Sequence, residues 1–513
     1  MKRLDPADER QISWDFYAYA ILAAFALLQL LRWGLFPIFL DIYYHLTVVS
    51  GFAKAGGYVT SAFWEYAPVG RVHLYPPLFH VLMLFAYKIG LSKLFIARFF
   101  SCLIYPAFLF VSWLLVKKIF NSRLAFFVIL AASSCFGLYI SVINLIPFSL
   151  GLLLGMLVLL CIEKKKALAS GMILGLIFYT HSQAPWLVLL WVALYGLFNR
   201  QNFKICLKAI GLGLFLAMPI LFHQFYNRHY FKFINVMENF FLDINLLVYA
   251  LAGLGLFIAL KRKGEYRIFL CIVLGLLPLF FTHKLRYFSG IGLFGFVFLA
   301  GLGLDYIFQK VSRGADMLKQ SLILVSIALA FYIFSPTLYI DRTAKTLRLG
   351  FFDTTLANTL KGTERKFRSM ELSIYYPKYE DEVVRIVEEN SARDDIIWSD
   401  LNYFAGLISL FSGRATSTAM LSEVKPYTDF DPVKAARLII LFKEINGSVS
   451  PRFMNIIKDY GLRKIQETEI AFVYINPGTN AKEKIPKALI PDWALFSIFF
   501  IYLGLVIYCW RRG

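Results

Sequence analysis

Apolar runs of membrane-spanning length alternate with short polar clusters along most of the chain. The first run, residues 16–36, predicts a span, and the stretch after it, residues 41–77, reads DIYYHLTVVSGFAKAGGYVTSAFWEYAPVGRVHLYPP. Residues 42–55 hold no helix breaker except Gly51, and Gly56 and Gly57 follow, where a left-handed cap meets no Cβ penalty. This predicts a short helix opening at Asp41, with Asp41 and His45 on one face. A polar, aromatic loop of this kind between spans is where function tends to sit.

Residues 75–91 look like a second span on hydropathy alone, but the positions of Lys and Arg argue otherwise. If 75–91 crossed, the KKIFNSR cluster at 117–123 would face outside and every later cluster would change sides with it. Reading 75–91 as interfacial or re-entrant, with span two at 94–116, puts six basic groups on the cytoplasmic side. They are 117–123, 163–166, 199–204, 261–267, Lys310 with Arg313, and Arg511 with Arg512. Pro76, Pro77, His80 and Lys88 also suit an interfacial element better than a span.

The expected fold is therefore a multi-span α-helical membrane protein of about twelve spans, both termini inside. Residues 1–338 form the membrane domain, with 37–92 its first outer loop. Residues 339–489 read as a small extracytoplasmic α/β domain, and 490–513 as a last transmembrane helix that tethers the domain over the outer loops. Within the domain, helix patterns fall at 381–392, 431–447 and 451–461, a strand at 394–400 and a hairpin at 462–477.

Composition agrees: 59% of the 513 residues are hydrophobic and 17% aromatic, and the mean hydropathy is +0.63, more apolar surface than a soluble core hides. The net charge of +20 would point to nucleic acid in a soluble protein. Here the cations cluster between apolar runs, so no nucleic-acid partner is expected. The six cysteines lie in or at the ends of apolar segments, without metal-ligand or disulfide spacing. MKRLDPADERQ is too long and too acidic for a signal-peptide leader region, and no cleavage site follows, so the first span is expected to stay. No Walker loop, GxSxG elbow, HExxH or repeat appears, which removes ABC transporters, common hydrolases and zincins. All seven histidines (45, 73, 80, 181, 223, 229 and 283) fall on the outer side, which argues for a polar cavity there. His223 and His229 read individually as interfacial fillers. Asn446-Gly447-Ser448 fits a glycosylation acceptor pattern.

Asp41-Ile42-Tyr43-Tyr44-His45-Leu46, then Gly57, Pro68-Val69-Gly70-Arg71 and Tyr75-Pro76-Pro77-Leu78, resembles the first outer loop of type-C (GT-C) membrane glycosyltransferases. The likeness is nearest to oligosaccharyltransferase catalytic subunits, which carry a D-P-Y-Y-H-like opening followed by P-L-G-R and Y-P-x-L. Leu285-Arg286-Tyr287-Phe288 leading into FLAGLGL is similar to that family's late Arg-aromatic segment. Trp398-Ser399-Asp400-Leu401-Asn402, followed by Gly413-Arg414-Ala415-Thr416, stands where the family has W-W-D-Y-G and N-R-T-T. The chain departs from the family at Tyr139–Asn144, an outer turn without the expected acidic pair, and in the degenerate W-W-D-Y-G region. Sequon recognition and a divalent Mg or Mn ion are thus not carried over, and lipid-to-lipid or protein O-glycosyl transferases fit equally well.

The resemblance implies transfer of a sugar or oligosaccharide from a polyprenyl-phosphate donor, held in membrane lipid, to a protein, lipid or polysaccharide acceptor outside the cell membrane. Such a displacement needs a base at the acceptor and cations at the departing phosphate. Asp41 is the candidate base, or a metal ligand with Glu238 in place of the missing acid; the plain alternative is that it only starts its helix. His45 would orient Asp41 or touch the donor. Arg286 and Lys284 suit the phosphate, against simple snorkelling. Arg71 and Glu65 would line the donor groove, or brace the loop as a pair. His73, Tyr75, His181 and His283 complete the candidates. A multi-span transporter or flippase of lipid-linked glycans is the alternative, disfavoured because the spans hold almost no carboxylates away from their ends.

Overall fold

A computed structural model describes residues 13–39, 41–232, 241–262, 266–341, 345–352, 354–362, 377–420, 423–443 and 448–512. Glu238 and the Asn446-Gly447 part of the glycosylation pattern lie outside the described residues. Six helices among the described residues are long and apolar enough to cross a membrane: Trp14–Leu31, Lys93–Ile119, Ile146–Glu163, Phe203–Tyr226, Arg286–Val311 and Asp492–Arg512. Shorter apolar helices accompany them, including Ser122–Ser134, Ala167–Phe178, Ala184–Phe198, Leu246–Lys261 and Met317–Tyr332. Side-chain caps set several starts: Ser92 accepts from the Phe95 amide, Asn121 from Leu124, Asn245 from Val248 and Asp316 from Lys319. Leu246–Lys261 lies directly on the Leu293–Val311 helix because glycines face backbone on both sides. A Cβ at Gly255 would stand 1.9 Å from the Leu299 carbonyl oxygen, and one at Gly303 2.3 Å from that of Leu251.

The two ends of the bundle carry different ion pairs. At one end Lys117 meets Asp15 at 2.7 Å and Arg123 meets Asp305 at 2.6 Å. At the other, Lys54 meets Glu483 and Lys88 meets Asp492, both at 2.7 Å. The Leu78–Lys88 helix has 11 residues, a rise of about 16 Å, roughly half of a hydrocarbon core of ~30 Å. Its buried residues, among them Phe79, His80, Met83 and Leu84, face inward beside the Asp41–Ala55 helix. That helix ends as the glycines predict, with Gly56 at φ +78°.

Residues from 377 onward build a five-stranded mixed sheet in the order Arg463–Glu467, Ala471–Ile475, Leu438–Phe442, Ile396–Ser399, Ala415–Thr416. The predicted hairpin is present, antiparallel, at its edge. The prediction of one helix over 431–447 fails. Among its described residues Pro432–Ala435 is helical, capped by the Asp431 carboxylate, and Leu438–Phe442 becomes the central strand with all five residues buried. A continuous apolar LIILF run suits a strand covered on both faces, and periodicity alone does not separate that from a buried helix. Thr337–Asp341 and Thr346–Gly350 join neither the bundle nor this sheet. Thr337–Asp341 is the middle strand of a separate three-stranded antiparallel sheet, between Phe241–Asn245 and Thr346–Gly350.

The stretch after the Asp41–Ala55 helix is tied to the beginning of the Asp492–Arg512 helix by Gly57 and Tyr58, which pair antiparallel with Pro491 and Ile490. Gly57 sits at φ +152°, and a Cβ there would lie 2.1 Å from the Ile490 carbonyl oxygen, so the crossing requires glycine.

Candidate active site

Asp41 is the first residue of the Asp41–Ala55 helix, where free amides and the helix dipole favour a negative charge. Its side chain is 29% exposed, whereas that of His45, one turn on, is 1% exposed with Nε2 3.5 Å from Asp41 Oδ2. The other nitrogen, His45 Nδ1, lies 3.0 Å from His80 Nε2. Tyr75 stands edge-on to His45 with ring centres 4.9 Å apart, and to His181 at 5.9 Å. His181 packs on Phe148 and accepts the Gln183 amide at Nδ1. Its enclosed position pushes its pKa down to about 3, with the Asp41 charge opposing and Arg286 and His45 reinforcing, so the ring is neutral at neutral pH.

Arg286, half-buried on the Lys284–Phe288 helix, lies within electrostatic reach of Asp41, Glu423 and Tyr75. Asp41, His45, Tyr75, His181 and Arg286 therefore converge, although they come from four separate stretches of chain. His283 and Lys284 sit half-buried on the same turn as Arg286.

Behind this group is a buried brace. Arg71 donates through Nε and Nη2 to Glu65 Oε2 at 2.8 and 2.5 Å, and through Nη2 to the Tyr44 hydroxyl at 3.3 Å. Both charged side chains are almost fully buried, at 3% and 1% exposure. Of the two readings of Arg71 and Glu65, groove lining or a bracing pair, the geometry favours the brace: a guanidinium already held by a carboxylate and a phenol out of solvent is not presented to a phosphate. Glu65 Oε1 accepts the amide of Met420 in the outer domain. The main chain of 64–70 makes further bonds there: Thr416 N to Trp64 O, Ala67 N to Thr416 O, Tyr66 N to Thr418 O and Tyr427 N to Gly70 O. The domain built on the five-stranded sheet thus docks on the loop that carries the candidate site.

His73 is fully buried against Phe52, Trp64 and His80, and its carbonyl accepts from His223 Nε2 at 2.9 Å. His223 is therefore a built contact to the first loop, where its residue type alone predicted an interfacial filler. The Trp398 and Arg414 motifs serve the outer domain's own fold. Trp398 packs on Phe453 in its core, Asp400 Oδ1 accepts the Phe442 amide, and Arg414 bonds Ser391 and Ser412.

Several residues near the site carry no sequence signal for their role. Glu423 reaches Arg286, Tyr75 and Tyr44 electrostatically from a segment with no motif. His80 meets His45 across 35 residues. Tyr139–Asn144, expected as a turn, is part of the Phe136–Asn144 helix, and beside its first turn Asp243 arrives from the Phe241–Asn245 strand, its Oδ2 3.3 Å from where a Cβ at Gly137 would lie. Among the described residues no group of three His, Cys, Asp or Glu side chains is arranged to hold a metal ion.

No family profile and no curated protein sequence matches the chain. Solved structures do. The oligosaccharyltransferase of Archaeoglobus fulgidus, tethered to an acceptor peptide containing the NVT sequon, aligns with a TM-score of 0.55 at 10% identity, over 85% of this chain and 70% of its own. The same enzyme in complex with Zn and sulfate aligns with a TM-score of 0.53 at 11% identity, over 89% and 73%. ArnT from Cupriavidus metallidurans, bound to undecaprenyl phosphate, aligns with a TM-score of 0.52 at 12% identity, over 91% and 99%. At such identities the shared property is the fold: the chain has the architecture of the type-C membrane glycosyltransferases, with structural likeness to an oligosaccharyltransferase and to ArnT.

Proposed function

We propose that this chain is a membrane glycosyltransferase that moves a sugar or oligosaccharide from a polyprenyl-phosphate-type donor to an acceptor on the extracytoplasmic face. The observation that carries the reading is the convergence of a partly exposed Asp41 with Arg286, His45, Tyr75 and His181 over a buried Glu65–Arg71 brace. The structural neighbours support the donor class, since ArnT is bound to undecaprenyl phosphate. A cavity of about 470 Å³ also supports it, lined by Pro77, Val81, Tyr179, Pro219, Phe499 and Tyr502 between the first loop, two bundle helices and the last helix. It is apolar enough for an isoprenoid chain, and His223, which bonds the His73 carbonyl, stands on its wall.

In this reading the acceptor nucleophile forms a bond to the anomeric carbon while the bond from that carbon to the lipid phosphate breaks. Asp41 takes the acceptor's proton, and the electron pair leaves with the phosphate, whose charge Arg286 balances. Neutral His181 and Tyr75 close the pocket without adding charge. The outer domain, docked through Glu65 and Thr416, supplies a surface beside the site for the acceptor, and Glu423 projects from it.

The test is transfer of radiolabel from a polyprenyl-phosphate sugar by purified protein in vesicles with the outer face exposed, offered peptide, lipid and polysaccharide acceptors. Transfer that Asp41→Asn abolishes in folded protein supports the reading. Movement of the labelled lipid between leaflets with no transfer to any acceptor favours a flippase and overturns it.

A further inference from the structure

Three buried histidines lie directly behind Asp41, and two of them are hydrogen-bonded to each other. His80 is fully buried, with the rings of His45, Tyr75 and His73 around it at 5.1, 5.4 and 5.7 Å. Its Nε2 bonds His45 Nδ1, and His45 Nε2, buried without a hydrogen bond among the described residues, lies 3.5 Å from Asp41 Oδ2. Its own Nδ1 is buried without a hydrogen-bond partner among the described residues.

An imidazole pair leaves few choices. A neutral imidazole has one donor and one acceptor nitrogen, and a carboxylate only accepts. With Asp41 as carboxylate, a bare His45 Nε2 would set lone pair against lone pair at 3.5 Å, so Nε2 carries the hydrogen. In a neutral His45 the Nδ1 is then the acceptor, and His80 Nε2 donates to it. Burial, with the charges of His45 and His73 adding to it, holds the His80 pKa well below the ordinary imidazole value, so His80 stays neutral and its Nδ1 is bare. That agrees with the one nitrogen of His80 that lacks a protein partner.

We propose that His80 is a positioning residue for Asp41, acting through His45: the bond from His80 Nε2–H to His45 Nδ1 holds the His45 ring with its Nε2–H toward the Asp41 carboxylate. The hydrogen bond at one imidazole nitrogen sets what the other presents. His80 itself, walled in by aromatic rings, does not reach the acceptor or donor. The catalytic part of this proposal rests on Asp41 acting as the base; the hydrogen-bond arrangement does not.

Two measurements test it. Gln at position 80 keeps an amide donor within reach of His45 Nδ1, whereas Leu keeps bulk and removes the donor. His80→Leu is expected to lower kcat by about 10- to 100-fold, the loss seen for groups that orient a reacting side chain, while changing the donor KM by less than about threefold. His80→Gln recovers most of that loss. Equal losses in both variants, or wild-type kcat in His80→Leu, would overturn the proposal. Solid-state NMR of histidine-labelled wild-type protein in lipid reads the tautomer directly, with His45 assigned through the His45→Gln variant. The expected result is a proton on His45 Nε2 with Nδ1 accepting a hydrogen bond, and a proton on Nδ1 would sink the idea. The NMR result stands whether or not transfer is detected, so failure of the glycosyltransferase reading is distinguishable from failure of the His80 assignment.

Discussion

Arg71 binds Glu65 through two nitrogens with both side chains out of solvent, and the second oxygen of Glu65 holds the amide of Met420. One carboxylate therefore joins the loop that carries Asp41 to the domain of the five-stranded sheet. Removing it leaves a buried guanidinium without its counter-charge, a loss of about 3–5 kcal/mol for a broken buried pair. Glu65→Ala is expected to lower the unfolding midpoint in detergent sharply and to make the outer domain protease-sensitive before the bundle unfolds. Replacing both residues, Glu65→Gln with Arg71→Met, should cost less than the two single losses added together. An additive pair would show that the brace is not a coupled unit.

Asp41→Asn separates chemistry from folding. Asn suits a helix start as well as Asp does, so the unfolding midpoint is expected to move little. Transfer should fall by about 10²–10⁴-fold, the usual contribution of a positioned general base. Retained turnover in the radiolabel assay would mean that Asp41 serves only its helix.

Arg286→Lys keeps the charge but loses the planar fork that grips phosphate oxygens at two points. The expectation is a partial loss in kcat/KM, with a deeper loss of ~10²-fold or more in Arg286→Ala. Binding of a lipid phosphate, followed by fluorescence titration, should weaken in the same order. The corresponding changes at Arg71 should appear in stability instead, because its guanidinium is occupied.

His181 gives a pH signature with a definite sign. Its folded pKa is about 3 against an ordinary value of 6.5, so between those values the unfolded chain binds the extra proton. Its contribution is therefore fully present above about pH 6.5 and is lost as the pH falls toward 3. The unfolding midpoint should decline from pH 7 to pH 4.5. The slope should be shallower in His181→Asn, whose side-chain oxygen can still accept the Gln183 amide. His73 and His80, held low by burial in the same way, keep part of the slope in that variant.

Gly57→Ala places a methyl 2.1 Å from the Ile490 carbonyl oxygen in a backbone conformation that only glycine adopts readily. The pairing of 57–58 with 490–491 should open, freeing the junction between the outer domain and the last helix. Limited proteolysis near residue 489 is the measurement, and an unchanged digestion pattern would show that this pairing does not anchor the junction.

Local order was the part most open to reading in advance. The helix opening at Asp41 and stopping at Gly56, the Asp492–Arg512 helix and the 463–475 hairpin each follow from periodicity, caps and turn residues within one stretch. The 431–447 segment was misread because five consecutive apolar residues do not say whether they will be covered on both faces of a sheet. At the site, Asp41, His45 and Arg286 could be singled out as residue types suited to glycosyl transfer. Arg71 and Glu65 could be read there either as groove residues or as a bracing pair, and their joint burial decided for the pair.

Length, apolarity, the spacing of Lys and Arg and the first-loop motif were enough to imply a helical membrane protein and to single out residues 41–77 as a candidate site. Those properties depend on the local partition between water and lipid and on local backbone preference, which the residues carry with them. Which polar groups meet is another matter. His80 on His45, Glu423 near Arg286, Asp243 against Gly137 and Met420 on Glu65 all join residues far apart in the chain. Their meeting follows from helix packing and domain docking, and in a dry interior each polar atom's partner determines what that atom can still do.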